Sequence, residues 1–294
     1  MKKLRLLIIC ASCTMISLGW AGCSNLAHST TLTESQTIAN KTVSALSDVK
    51  SFNLDTDVKN YFGTSSPGIE WKGSKTIDVS NQKMAMNMTI TDQEPGNNLE
   101  LFSLGMYLGD GEDYQEDAAP GLSQPNPWTK TELTTNLWNS EIQIQYLSEL
   151  LKTAAQINSL KNETIYGIDC YVLAITPSAQ GAVDLVVSQE QPFGPQINVD
   201  FSGGTPVVRP DAFKSGSIQL WIEQDNYLPV KVEINVDFQG TTGGGPGSAG
   251  TVFSTPIGNQ ENSSFQGELE FSNYNQPASI QLPQGALNAQ SVGN

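Results

Sequence analysis

The feature that most constrains the fold is an alternation of apolar and polar residues that begins at residue 52. It continues through four segments, at residues 52–59, 69–79, 84–90 and 99–108. Such alternation is typical of strands that face a core on one side and water on the other. Turn sequences such as Ser66-Pro67-Gly68 separate the segments, which predicts an antiparallel meander with one apolar and one polar face.

Two stretches of helical periodicity lie on either side of this meander. In the first, residues 32–49, Thr33 and Gln36 have the spacing of a capping box. The second, residues 137–160, carries a broad apolar stripe typical of a helix that lies on a core. Residues 182–190 are ambiguous, and a short helix is one interpretation.

The remainder of the chain predicts more strands and two long connections. Hairpins are expected at residues 164–175 and 217–236, and single strands at 265–271 and 280–283. Residues 191–211 are rich in Pro and Gly, and residues 240–262 are a low-complexity Gly/Ser/Thr loop. A sheet with one apolar face must be covered, and the helices are available to cover it, so the predicted class is α+β.

The first 22 residues have a basic start, a short apolar run and a small pair before Cys23, which is typical of a secretory signal peptide. The segment resembles a bacterial lipoprotein signal, although Trp20 replaces the usual aliphatic residue. That resemblance implies acylation of Cys23 by diacylglyceryl and palmitate-type chains. Residues 23–31 would then be a lipidated tether and residues 32–294 a single domain. Ordinary secretion is the alternative.

Charge and cysteine content exclude several classes of function. Loss of the segment removes three of the 15 basic residues and none of the 30 acidic ones, which leaves a formal charge of −18. An acidic chain of this kind argues against nucleic acid and against an anionic membrane surface as partners. Cys170 would be the one cysteine left besides Cys23, and His28, in the tether, is the single histidine. Neither a metal site, nor a cofactor, nor a catalytic triad is therefore predicted, and we expect no enzyme.

An acidic segment at residues 109–113 allows two interpretations. A calcium loop would need the alternating ligand spacing of an EF-hand, which is missing here. A tight turn between two strands explains Asp110-Gly111 better.

Three passages resemble the LolA/LolB-like lipoprotein superfamily, which includes the LppX-type lipoproteins. They are residues 106–114 with Trp128-Thr129-Lys130 downstream, residues 165–173, and the hairpin at 218–236. The resemblance implies a strongly curved antiparallel sheet, an open or half β-barrel, wrapped around two or three helices that cover an apolar cavity. It also implies a carrier or chaperone of lipid in the cell envelope, held on the outer face of the cell membrane or on the outer membrane.

The residues that we expect to line such a cavity are large, apolar and on predicted inward faces. They are Trp71, Met84, Met86, Met88, Leu101, Tyr146, Leu147, Leu150 and Trp221. Met adapts to irregular contents and is common on promiscuous binding surfaces, but ordinary core packing is the alternative for each residue. A second hypothesis of another class is a surface sensor or assembly lipoprotein with a filled core, which would bind an unknown protein partner instead of a lipid.

Overall fold

The computed structural model describes residues 32–62, 68–94, 97–118, 127–135, 138–139, 142, 144–190, 210–239 and 262–291. The α-helices whose bounds the structure describes are α1 (Glu34–Ser47), α2 (Ile144–Thr153) and α3 (Ala179–Glu190). The strands are β1 (Ser51–Phe62), β2 (Gly68–Asp78), β3 (Lys83–Glu94), β4 (Asn97–Gly109), β5 (Glu112–Ala118), β6 (Trp128–Glu132), β7 (Gln156–Ser159), β8 (Glu163–Ile165), β9 (Ile168–Thr176), β10 (Phe213–Glu223), β11 (Pro229–Phe238), β12 (Ser263–Ser272) and β13 (Gln290–Ser291). All of them belong to one compact unit, Thr33–Asn294.

The described strands form one curved, unclosed sheet in the order β13-β6-β5-β4-β3-β2-β1-β12-β11-β10-β9-β7, with β8 beside β9. Neighbours are antiparallel throughout, apart from β13, which runs parallel to β6. β1 pairs with β12 over ten residues, which joins the N-terminal meander to the C-terminal strands. The prediction of an α+β protein with an open antiparallel half-barrel is confirmed.

Helix α1 begins as its sequence predicts. The Thr33 hydroxyl accepts from the Gln36 backbone N–H at 3.3 Å, and the Gln36 side chain accepts from the Thr33 N–H at 3.1 Å. This capping box satisfies two backbone donors that the helix leaves unpaired. The helix buries Ile38 and Leu46 in the core.

The Asp110-Gly111 segment is a tight turn, as predicted. Gly109 pairs with Glu112 across it, and Asp110 and Gly111 have φ values of 56° and 83°. Positive φ at both central positions is the conformation that favours Asp-Gly in two-residue hairpins. The Asp110 carboxylate also forms an ion pair with Lys83 at 2.9 Å.

Two of the predicted elements differ from the structure. The helix expected to reach residue 160 ends at Thr153, because residues 156–159 form an edge strand in which Ile157 lies opposite Ile175. The position of Ile157 in the sequence pattern is compatible with a helix and with a strand. Its pairing with the distant Ile175 determines that it lies in a strand. The strand expected at residues 280–283 is irregular and leads into a 3₁₀ helix, Gln284–Asn288, since Pro283 has no N–H for a ladder.

The ambiguous residues 182–190 lie within α3. Several other predictions fall outside the described residues, namely the signal segment, the tether at 23–31 with Cys23, the start of the helix predicted from residue 137, and nearly all of the two long connections at 191–211 and 240–262.

Candidate functional site

The inner face of the sheet and the three helices share one apolar cluster. Alternate residues of the central strands point into it, as Leu54, Ile77 and Leu104 do. Helix α2 contributes Leu147, and helix α3 contributes Leu185. We call this side of the sheet the inner face.

Four methionines lie next to one another on the inner face. Met84, Met86 and Met88 follow each other on β3, and Met106 lies directly opposite Met86 on β4. Their exposures are 0, 2, 5 and 2%. The chain has six methionines in all, and the other two precede Cys23. We call these four residues the methionine wall.

The structure places most of the other predicted lining residues in the same cluster. Trp71, Leu147 and Leu150 are buried members, and Leu101 is half-buried against it. Tyr146 is half-buried on α2. The inner face therefore brings together side chains from β2, β3, β4 and α2.

Trp221 does not join them, and its predicted place in the lining is corrected. Because side chains alternate along a strand, Trp221 points away from the face that holds Leu220 and Ile222. It packs in a separate cluster, and its indole N–H donates to Glu163 at 2.9 Å. The Lys231 ammonium lies 5.5 Å from the ring centroid.

Sequence reasoning overlooked a polar group of residues on the inner face. Lys75 is 3% exposed and Thr56 6% exposed, on neighbouring strands. Asp113 and Gln115 are buried on β5, where the Gln115 amide donates to the Asp113 carboxylate at 2.9 Å. The sequence did contain a signal for the burial of Lys75, because Lys75 lies in the same alternating series as Trp71.

The outer face of the sheet is polar and carries two open grooves of about 630 and 540 Å³. Carboxylates such as Asp57 and Glu268 line both grooves. Several of these acids are paired, for example Asp57 with Lys72 at 2.8 Å and Glu268 with Lys231 at 2.9 Å. Desolvating carboxylates is costly, so these grooves are poor sites for an apolar chain.

Cys170 is fully buried on β9 beside Val172 and Trp221. Burial, followed by the charges of Glu223 and Asp169, raises the pKa of its thiol to about 11. A thiol that stays protonated at neutral pH is a poor nucleophile.

The described part of the chain holds no cluster of His, Cys, Asp and Glu side chains that could bind a metal ion. In the same residues, none of the helices has both the length and the apolar character needed to cross a bilayer.

These features define a class of protein: a curved, open antiparallel sheet whose apolar face is covered by helices. No protein-family model matches the chain, and no curated protein matches its sequence. Solved structures do resemble it. LprF from Mycobacterium bovis has a TM-score of 0.48 at 12% identity, covering 85% of this chain and 97% of that chain.

Two further structures show the same kind of likeness. The Mycobacterium tuberculosis lipoprotein LppX has a TM-score of 0.43 at 14% identity, covering 84% of this chain and 97% of that one. A LolA superfamily protein from Nitrosomonas europaea has a TM-score of 0.22 at 14% identity, covering 86% and 96%. These two proteins bear the names of the two groups that the sequence passages resemble. Likenesses this distant carry no conclusion about function.

Proposed function

We propose that this chain is a non-enzymatic lipoprotein that holds a lipid, or another long apolar ligand, between the inner face and the helices. The observation that carries the proposal is the methionine wall. Unbranched, polarizable Met side chains adapt to contents of irregular shape. Four of them as neighbours on one sheet face, with no other Met after Cys23, suit a wall that meets a variable apolar ligand.

Burial alone supplies the binding energy in this proposal. Each methylene that leaves water contributes about 0.8 kcal/mol, so an acyl chain of ordinary length offsets a substantial ordering cost. Helices α1, α2 and α3 already pack on the inner face, and their displacement would admit the ligand. A carrier or chaperone needs no reacting groups, and the protonated Cys170 thiol offers none.

We further propose that the chain is exported and acylated at Cys23. Two or more acyl chains anchor a protein stably where one does not. The formal charge of −18 that remains after residue 22 would keep the domain away from anionic head groups. The anchor and the carrier function are separate claims, so each has its own experiment.

Native mass spectrometry of residues 24–294 tests ligand binding, because this part of the chain contains every described residue. After purification of this protein without detergent, we expect its mass to exceed that of the polypeptide. Organic extraction should remove the excess mass, and added fatty acid should restore it. A bare mass together with no uptake of a fluorescent fatty acid would contradict it, and would favour the protein-binding alternative.

The anchor is tested by the intact mass of the full chain extracted from its native membrane. We expect a chain that begins at Cys23 and carries the mass of its acyl groups. A Cys23→Ala variant should lose both the added mass and the membrane association. A mature chain of unmodified mass would show ordinary secretion instead.

A further inference from the structure

The inner face carries a cation where an apolar lining is expected. Lys75 on β2 is 3% exposed, and in the sheet register its neighbours are Leu54 on β1 and Met86 of the methionine wall. Lysine is almost never buried without a partner. Lys75 does have an interaction within the chain, and its position beside the wall puts a positive charge next to the proposed ligand.

A hydroxyl without a hydrogen bond lies beside it. Thr56 is 6% exposed, and its Oγ1 finds no hydrogen-bond partner in the part of the chain that the structure describes. Thr56 lies opposite Gly73, two residues from Lys75 along β2 and on the same face. Diagonal neighbours of this kind are about 7–8 Å apart, within reach of a long side chain.

Gly73, which lies opposite Thr56 and two residues from Lys75, has no side chain to place between them. A Cβ at Gly73 would lie 2.4 Å from the Asn87 carbonyl oxygen of β3, so a larger residue would not fit there without a shift of the backbone. A buried polar group without a hydrogen bond costs free energy, and a buried ammonium attracts an anion strongly. The two groups together are a donor pair suited to one small anionic oxygen group.

From this arrangement we infer that Lys75 and Thr56 form a subsite for the anionic head group of an amphiphile, a carboxylate or a phosphate. The acyl chain of the same ligand then lies along the methionine wall, in which Met86 is the residue opposite Lys75. The inference rests on the proposed function and adds to it the chemical class of the ligand. The head group would join or replace the present partner of Lys75.

The test compares hexadecanoic acid with its methyl ester as competitors for a bound fluorescent lipid, using residues 24–294 freed of lipid. The assay is run at about pH 8.5, where the carboxyl group is ionised. Hydrogen bonds to charged groups contribute enough for a preference of roughly tenfold or more for the acid. In Lys75→Met that preference should vanish through weaker binding of the acid, while the ester binds as before.

Three further variants make the test specific. Lys75→Arg should retain the preference, and Thr56→Val should lower it a few-fold. Lys72→Met is the matched control, because Lys72 lies on the same strand with its side chain 67% exposed on the outer face, and it should behave as the wild type does. Circular dichroism and thermal melts check that each variant folds. If Lys75→Met fails to fold, Lys75→Arg and Thr56→Val still decide the test.

The outcomes separate the two proposals. If the wild type binds neither competitor, the proposed lipid-binding function fails. If it binds acid and ester equally, or if Lys75→Met or Thr56→Val leaves the preference intact, the carrier proposal stands and the head-group subsite is wrong. An equal loss of both ligands in Lys75→Met would also overturn the subsite, because it would show a structural role.

Discussion

Met86 lies directly opposite Met106 in the β3–β4 pairing, and each side chain is 2% exposed on the inner face. Cross-strand neighbours of this kind are in side-chain contact. The pair therefore forms the centre of the methionine wall, and it is where enlarging a side chain best separates a ligand-lining surface from an ordinary core.

We expect Met86→Trp to reduce fatty-acid uptake several-fold while lowering the free energy of unfolding by less than about 1 kcal/mol. The larger side chain would occupy volume that the ligand otherwise fills, whereas in a packed core it would displace neighbouring side chains. Leu173→Trp is the control, since Leu173 is 0% exposed on β9, away from the wall. That variant should cost about 1–3 kcal/mol. Urea unfolding measures the stability of each variant, and uptake of a fluorescent fatty acid measures its ligand binding. Equal destabilisation of the two variants, with uptake unchanged, would show that the wall is simply core.

The capping box of α1 predicts a measurable loss of stability. Thr33→Ala removes the hydroxyl that accepts the Gln36 N–H, and we expect it to lower the free energy of unfolding by about 1 kcal/mol. Asn40→Ala, at an exposed position of the same helix, should change it by less than about 0.5 kcal/mol. Urea denaturation compares the two, and equal effects would mean that the cap contributes nothing.

Gly73 marks a close approach of two strands. In Gly73→Ala the new Cβ would meet the Asn87 carbonyl oxygen at 2.4 Å and the Met88 Cα at 2.9 Å. Both contacts are with backbone, so the strands must shift, and a loss of about 1–3 kcal/mol is expected. Ser74→Ala, the next and exposed residue, should be nearly neutral. A stable Gly73→Ala protein would mean that β2 and β3 lie farther apart there.

The Cys170 thiol is expected to react slowly with thiol reagents in the folded protein. Because burial raises the pKa of this thiol to about 11, the folded state keeps the proton after an unfolded chain has lost it near pH 8.5. The resulting stabilisation is complete below the unfolded pKa and is lost as the pH rises through the folded one.

Residues 24–294 contain no other cysteine, so the reaction with a disulfide reagent at about pH 8 reports on Cys170 alone. At that pH the Cys170 side chain is mainly protonated in the folded protein and is partly the reactive thiolate in the unfolded chain. The reaction should be slow in buffer and fast in denaturant. Rapid labelling in buffer would contradict the buried, protonated state.

Local chemistry made much of the fold predictable. Thr33 and Gln36 specify a helix start within four residues, and Asp110-Gly111 specifies a turn by its own φ preferences. Alternation likewise gave both faces of β3. These signals need no distant partner, which is why the sequence was sufficient.

Other features depend on contacts between distant residues. Ile157 belongs to a strand because Ile175 lies beside it, and no local pattern contains that information. Trp221 was assigned to the lining for its size, although the direction of its side chain depends on which face of β10 meets the core. A lysine ordinarily indicates an exposed position, whereas the place of Lys75 in the alternation of β2 indicates burial.

The most direct test of the account is a nuclear magnetic resonance spectrum of the methionine methyl groups in residues 24–294. Apart from an added starting Met, the four signals all come from the methionine wall. A fatty acid with a nitroxide spin label near its tail should broaden the signals of Met84, Met86, Met88 and Met106, and chemical reduction of the label should restore them. Four sharp, unshifted signals at a saturating concentration of the labelled fatty acid would contradict the claim that an acyl chain lies against this wall.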